Sequence, residues 1–291
     1  MNEHAWQRID SNRSLPQRVL ILGSSGMVGR AWCEHLKSLG IEYTAAHRPH
    51  FDLCRPETFE KTFDGTYDLV VNAAAWTDVD GAESDEQGAL LANAYAVEQI
   101  SAHCASVQAM LITYSTDYVF DGMACTPYPI DAPISPINAY GRSKALGESL
   151  LRRTNENHLL IRTSWVHAPW GKNFALTMRS LIADRDEIRV VNDQRGRPSS
   201  AISIAEGALD LYMNGASGTW HLTDSGECTW HGFAMEIRDA LGSACSVEPC
   251  TSEEFVRPAR RPAFSTLSIH QTEKLIGPRP AWQSRVRESV V

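Results

Sequence analysis

The sequence predicts an α/β protein: a doubly wound parallel sheet followed by a smaller C-terminal lobe. Three observations carry this. Residues 18–22 (RVLIL), 68–72 (DLVVN), 110–112 (MLI) and 158–162 (HLLIR) are short, mostly continuous apolar runs, the pattern of strands covered by helices on both faces. The first run passes straight into the glycine turn GSSGMVG and then into helical spacing at Ala31, Trp32, Leu36 and Leu39. Beyond about residue 170 the alternation of strands and longer helices gives way to short helices and loops.

Composition sets the outer limits. A chain of 291 residues, 43% hydrophobic and 21% charged, can bury a full core. Its net charge of -8 argues against nucleic acid as a partner, because no basic stripe is available for a phosphate backbone. The seven cysteines are scattered, odd in number and form no CxxC, so they read as reduced thiols rather than a disulfide framework or a zinc knuckle. Residues 1–17 are polar and lack the apolar core of a signal peptide, and no window approaches a membrane span. The expectation is a cytoplasmic protein with a disordered leader at 1–17, a dinucleotide-binding domain at 18–169 and a lobe at 170–291, with the chain free to cross back between the two.

Taken in order, the first strand, its sharp turn and the following helix make a Rossmann-type dinucleotide site. Gly23, Gly26 and Gly29 allow a tight turn, close approach to a pyrophosphate and close helix packing, and the amino end of the helix then faces the phosphates. The second strand, residues 42–46, ends in His47 and Arg48, with no acid for a ribose 2′-hydroxyl. Arg48 can accept a 2′-phosphate, which favours NADPH, with NADH also open; a solvated surface charge is the alternative. Asp52 can meet the adenine or ribose instead. After the third strand, Ala73, Ala74 and Ala75 are small enough to let a cofactor cross the strand end. Asp78, Asp80 and Glu83 lack a metal-loop pattern and read as solvated charges and caps, so no metal is expected.

A long helical segment at 85–107 leads to the fourth strand, which carries Thr116 at its carboxyl end, where open α/β sheets place their ligands. Prolines 127, 129, 133 and 136 stiffen the loop that delivers Tyr140. Tyr140 and Lys144 are one helical turn apart, so the ammonium can act on the phenol and bring its pKa down from about 10. That is a proton-transfer pair. In the lobe, helices at 173–183 and from residue 203 are expected, with strands at 189–191 and 218–222. Arg195, Arg197, Arg257, Arg260 and Arg261 are available there to offset the phosphates of a charged substrate.

Together GSSGMVG, NAAAWTDVDGAE, YSTDYVFDG, YGRSK, RTSWV, NFALTM and NDQRGRP resemble the extended short-chain dehydrogenase/reductase superfamily, and within it the dTDP-4-dehydrorhamnose reductase family, over about residues 18–261. The resemblance implies reduction of a dTDP-4-keto-6-deoxysugar by NAD(P)H for cell-surface polysaccharide. It makes Tyr140 the proton donor, Lys144 its partner on the nicotinamide ribose, and Thr116 the hydroxyl on the substrate carbonyl. It places Asp117 and Trp165 against the deoxysugar. Gly26, Met27, Val28, Asp52, Leu53, Ala75, Trp76, Thr77 and Tyr114 match its cofactor contacts. It implies a substrate-binding C-terminal lobe and a monomer or homodimer. Related dehydratases place an acid pair after the threonine, whereas Tyr118 follows Asp117 here. A non-catalytic regulatory subunit of methionine adenosyltransferase is also similar, but Thr116 and Trp165 favour the reductase.

Overall fold

The computed structural model describes residues 7–63 and 65–291. A short strand, β1 (Gln7–Ile9), precedes β2 (Val19–Leu22), which feeds α1 (Met27–Ser38). Then come β3 (Tyr43–Ala46), α2 (Phe59–Thr62), β4 (Leu69–Asn72), α3 (Val79–Ser84), α4 (Glu86–Leu90), a π-helical turn (Leu91–Tyr95) and α5 (Ala96–Ser106). β5 (Met110–Thr116), α6 (Ala139–Thr154) and β6 (His158–Thr163) complete the amino-terminal half. The rest comprises β7 (Val166–His167), α7 (Phe174–Asp184), β8 (Glu187–Val191), β9 (Arg195–Gly196), β10 (Ser199–Ser200), α8 (Ala201–Met213), β11 (Ala216–His221), β12 (Cys228–Thr229), α9 (Trp230–Ala240), β13 (Ser246–Cys250), α10 (His270–Ile276) and α11 (Trp282–Val290).

The main sheet runs β1-β11-β6-β5-β4-β2-β3, parallel throughout except for β1 on β11. Its central strands alternate between two apolar layers. Val19, Ile21, Val71, Ile112 and Ile161 face α1 and α8, with Trp32, Leu36 and Ile204 filling the layer. Leu20, Leu22, Val70, Leu111 and Leu160 face Val97, Ile100 and Leu151 of α5 and α6. This explains why the strands read as unbroken apolar runs. Each fully buried leucine or isoleucine contributes about 1.5–3 kcal/mol. The chain leaves β2 for β3 on one side and returns to β4 on the other, so the strand order reverses between β2 and β4, and a crevice opens at their carboxyl ends.

Two sequence expectations are corrected and two are refined. The leader is not wholly disordered: Gln7, Arg8 and Ile9 pair with Gly218, Ser217 and Ala216, completing the free edge of β11. The Arg8 guanidinium donates to the Glu156 carbonyl and that of Arg13 to the Tyr212 and Ala216 carbonyls, which anchors the segment; residues 1–6 lie outside the described residues. The helical segment expected over 85–107 is present without a break from Glu86 to Ser106, with the π turn between α4 and α5 as its one irregularity. The helix expected from residue 203 starts earlier, at Ala201, capped by Ser200. α8 and β11, both beyond residue 170, belong to the main sheet and its cover, the crossing back that the sequence left open. The lobe proper is β8 paired with β13, packed through Ile188, Val190 and Val247 on α7, α9 and α11.

α6 is tied to the sheet by a buried ion pair. Glu148, 2% exposed, accepts from Arg162 of β6 through two parallel bonds of 2.8 Å, and from Arg152 at 2.7 Å. Arg162, 0% exposed, also donates to the Ile130 carbonyl and lies over the Phe120 ring. Burial alone would raise the Glu148 pKa, but the two guanidiniums overcome it and hold the carboxyl at about 2. Its folded value lies below the ordinary one, so its contribution to stability is present above about pH 4.5 and is lost as pH falls toward 2.

Arg162→Leu leaves Glu148 charged and buried without its main partner. The expected cost is about 3–5 kcal/mol in urea unfolding. A loss below about 1 kcal/mol would mean that the pair does not hold α6.

Candidate active site

A cleft of about 600 Å³ opens at the reversal point, and most of the residues singled out in the sequence line it. Gly23, Gly26, Met27 and Val28 form its floor, His47, Arg48, Asp52 and Leu53 one wall, and Ala74, Ala75, Trp76 and Thr77 the other. Tyr114, Tyr140 and Lys144 close its inner end. Gly23 has φ +78°, and a Cβ there would lie 2.7 Å from Ala74 backbone atoms, so only glycine fits where the two strand ends converge. Gly29 faces away from the cleft and packs on the Gly23 carbonyl, where a Cβ would collide. α1 has no side-chain cap and no acid in its first turn, which leaves its first amides open toward the cleft. Arg48 is exposed on the outer wall with no ion pair among the described residues, and Asp52 accepts from the Cys54 amide at 3.0 Å.

Tyr140 and Lys144 share one face of α6, whose first turn is capped by Asn138. The 7% exposed Lys144 donates its ammonium hydrogen to the Tyr114 carbonyl at 2.6 Å. Burial pulls its pKa down to about 8, while Glu148, four residues on, opposes the fall. Burial holds the Tyr140 phenol above its ordinary range, the neighbouring Thr116 hydroxyl lowers it, and Asp117 raises it further. The expected lowering of the phenol by Lys144 is thus not met in this geometry. The ammonium is committed to a carbonyl, and desolvation decides.

Thr116 and Asp117 are buried at the end of β5 and are not among the residues that line the cleft, but the Thr116 hydroxyl lies beside the Tyr140 phenol and hydrogen-bonds to it. Trp165 also lies outside the cleft. With φ +46°, it stacks on Trp230 at 3.5 Å between ring centroids, on the lobe side. The arginines expected to meet phosphates are mostly paired: Arg257 and Arg261 with Asp80, and Arg195 with Glu227. Asp80 is therefore an ion-paired tie between α3 and the loop before residue 262, not a solvated charge. Burial would raise its pKa, but the Arg261 and Arg257 bonds hold it at about 2. Asp78 caps α3, as expected, while Glu83 accepts from the Ala139 amide at the start of α6. Among the described residues no group of three or more His, Cys, Asp or Glu converges on a metal position.

Sequence reasoning missed Asn93. It is 2% exposed, sits in the π turn, accepts from the Trp76 amide, and donates to the Trp76 carbonyl and to the Ser143 hydroxyl. One side chain thus joins the Trp76 wall of the cleft to α6. It also missed Glu148, although Tyr140, Lys144, Glu148 and Arg152 recur every fourth residue, a spacing that puts all four on one helical face. Ser115, Thr163 and Val166, which also line the cleft, carried no signal in the sequence.

A family model, the RmlD substrate binding domain, matches residues 17–291. The chain belongs to that family. It is 41% identical to a dTDP-4-dehydrorhamnose reductase of Burkholderia thailandensis over 288 residues, covering 92% of this chain and 96% of the relative. A dTDP-4-dehydrorhamnose reductase of Clostridium acetobutylicum has a similar solved structure, with TM-score 0.89 and 34% identity, covering 94% of this chain and 98% of that one. So does the Bacillus anthracis enzyme of that name, solved in complex with NADP, with TM-score 0.90, 29% identity and the same coverage. The glycine floor, the uncapped α1 and the tyrosine-lysine face all fall within the residues that the family model matches. Among the described residues, no helix is long and apolar enough to cross a membrane.

Gly23→Ala forces a side chain into the Ala74 backbone at a left-handed φ. NADP binding, followed by calorimetry, should weaken at least about tenfold, with about 1–3 kcal/mol lost from folding. Unchanged affinity would remove the glycine floor from the cofactor site.

Proposed function

We propose that this protein reduces the 4-keto group of dTDP-4-dehydro-6-deoxy-L-mannose with NADPH to give dTDP-L-rhamnose. The observation that carries the reading is the Tyr140–Lys144 face of α6 closing the inner end of a glycine-floored cleft, in a chain of this family.

The cleft's residues fit the dinucleotide. Gly23 and Gly26 leave room for a pyrophosphate at the open amides of α1, and Arg48 offers a cation where a 2′-phosphate would lie. Ala75, Trp76 and Thr77 flank the path toward Tyr140. When bound, NADPH supplies the hydride. The chain's own residues then have three tasks. Tyr140, kept protonated by burial, gives its phenolic proton to the ketone oxygen as charge builds there. The Lys144 ammonium, one turn away and charged below about pH 8, stabilises the phenolate left behind. Thr116 adds a hydrogen bond to the same oxygen. Trp165, on its Trp230 stack, bounds the sugar from the lobe side.

Tyr140→Phe removes the proton while keeping the ring. Turnover of NADPH with the dTDP-4-keto sugar should fall by at least about 100-fold, while the NADPH dissociation constant, read by fluorescence, stays within about twofold. Turnover within about fivefold of the parent would discard Tyr140 as donor. Arg48→Ala should raise the KM for NADPH by about 10–100-fold and leave that for NADH nearly unchanged. Equal shifts for both would return Arg48 to the role of a surface charge.

A further inference from the structure

Thr116 has one hydroxyl hydrogen and two claims on it. Its Oγ1 already accepts from the Tyr118 amide at 3.2 Å, and it lies 2.9 Å from Asp117 Oδ1. If Asp117 is a carboxylate it can only accept, so the Thr116 hydrogen must point at Asp117. The hydroxyl then turns a lone pair toward Tyr140 and any carbonyl beside it, which repels the oxygen it is meant to polarise. If Asp117 carries a proton, the direction of the bond reverses. The acid donates to Thr116 Oγ1, both oxygen lone pairs are used, and the Thr116 hydrogen is free for the reacting oxygen.

The surroundings favour the second arrangement. Asp117 is 2% exposed, and its Oδ2 is buried with no hydrogen-bond partner among the described residues, a costly position for a charged oxygen. The groups facing the carboxyl are all uncharged: the hydroxyls of Thr116 and of Ser265 from the lobe connection, the backbone amides of Asp117 and Tyr118, and the phenols of Tyr118 and of Tyr140 from α6. Arg261, which acts on Tyr118, is paired with Asp80.

We propose that Asp117 is held as a neutral acid and is the positioning residue that sets the direction of the Thr116 hydroxyl. It donates to Thr116 Oγ1, and Thr116 donates to the ketone oxygen that Tyr140 protonates. Burial pushes the Asp117 pKa up to about 7, with Ser265, Thr116 and the backbone amides partly opposing it. The carboxyl is therefore about half protonated at neutrality, largely protonated by about pH 6, and loses its proton above neutrality. The folded value is raised, so the fold binds this proton more tightly than the unfolded chain does. Its contribution to stability is present at acid pH and lost as pH rises through about 7.

The proposal rests on the reductase reading for its use of Thr116, but its first test needs no turnover. The ligand-free protein, carrying aspartate labelled with carbon-13 at the side-chain carboxyl, is titrated by NMR, and the Asp117 resonance is identified by its loss in Asp117→Asn. A midpoint near 7 is expected; a midpoint near 4 overturns the proposal whatever the protein reduces. In the second test, kcat is followed from about pH 6 to about pH 9. The parent should lose about tenfold per pH unit above neutrality. Asp117→Asn, which has no carboxyl to ionise, should hold its rate through about pH 7 and fall only above about pH 8, where Lys144 loses its charge, whatever its absolute rate. A parent-like fall in Asp117→Asn overturns the positioning role. Absence of turnover in the parent, with the NMR midpoint near 7, would count against the reductase reading and leave the neutral acid standing.

Discussion

The bidentate bond between Glu148 and Arg162 fixes where α6 lies on the sheet, and the chemistry of the cleft depends on that placement. Tyr140, Lys144, Glu148 and Arg152 project from one face at intervals of four residues, so anchoring Glu148 to β6 also sets the other three. A buried ion pair adds little net stability over an apolar contact, but it fixes geometry and register closely. Here it also places a negative charge one turn from Lys144, which opposes the loss of the ammonium proton that burial promotes. Near the amino end of α6, Asn93 joins Ser143 to the Trp76 backbone, so the helix and the Trp76 wall of the cleft are fixed to each other.

This anchoring allows the site to combine an uncharged acid with a buried cation. Desolvation raises Tyr140 and lowers Lys144, keeping the phenol protonated and the amine close to its point of charge loss. In a wetter site, both groups would sit near their ordinary values, and the phenol would gain less from the ammonium when it gives up its proton. The cleft that produces this environment comes from topology. β2 and β4 are neighbours whose onward connections leave in opposite directions, and the small residues Gly23 and Ala74 at their ends permit the opening.

Much of this was legible in the sequence because it rests on local pattern. The buried strands announced themselves as apolar runs, the glycine turn stood between a strand and a helix, and Tyr140 and Lys144 had helical spacing. What the sequence did not disclose depends on partners distant along the chain. β1 is polar and becomes a strand only because β11 offers a free edge. The π turn within 85–107 follows no composition rule, yet it aims Asn93 at Trp76. Asp80 looked like a solvated charge or cap, and Arg257 and Arg261 like groups available to phosphates, since nothing local joins residues so far apart in the chain. Lys144 has the spacing to meet the phenol, but the Tyr114 carbonyl that claims it lies thirty residues upstream. Trp165 was singled out, but its stack on Trp230 and its place outside the cleft come from the lobe's packing.

The most direct test of the whole account is to supply the purified protein with NADPH and dTDP-4-dehydro-6-deoxy-L-mannose, the latter generated in place, and to identify the product sugar by NMR while NADPH oxidation is followed. The account predicts rapid oxidation with stoichiometric dTDP-L-rhamnose. NADPH bound but not oxidised, or oxidation yielding a sugar of the opposite configuration at C4, would contradict it.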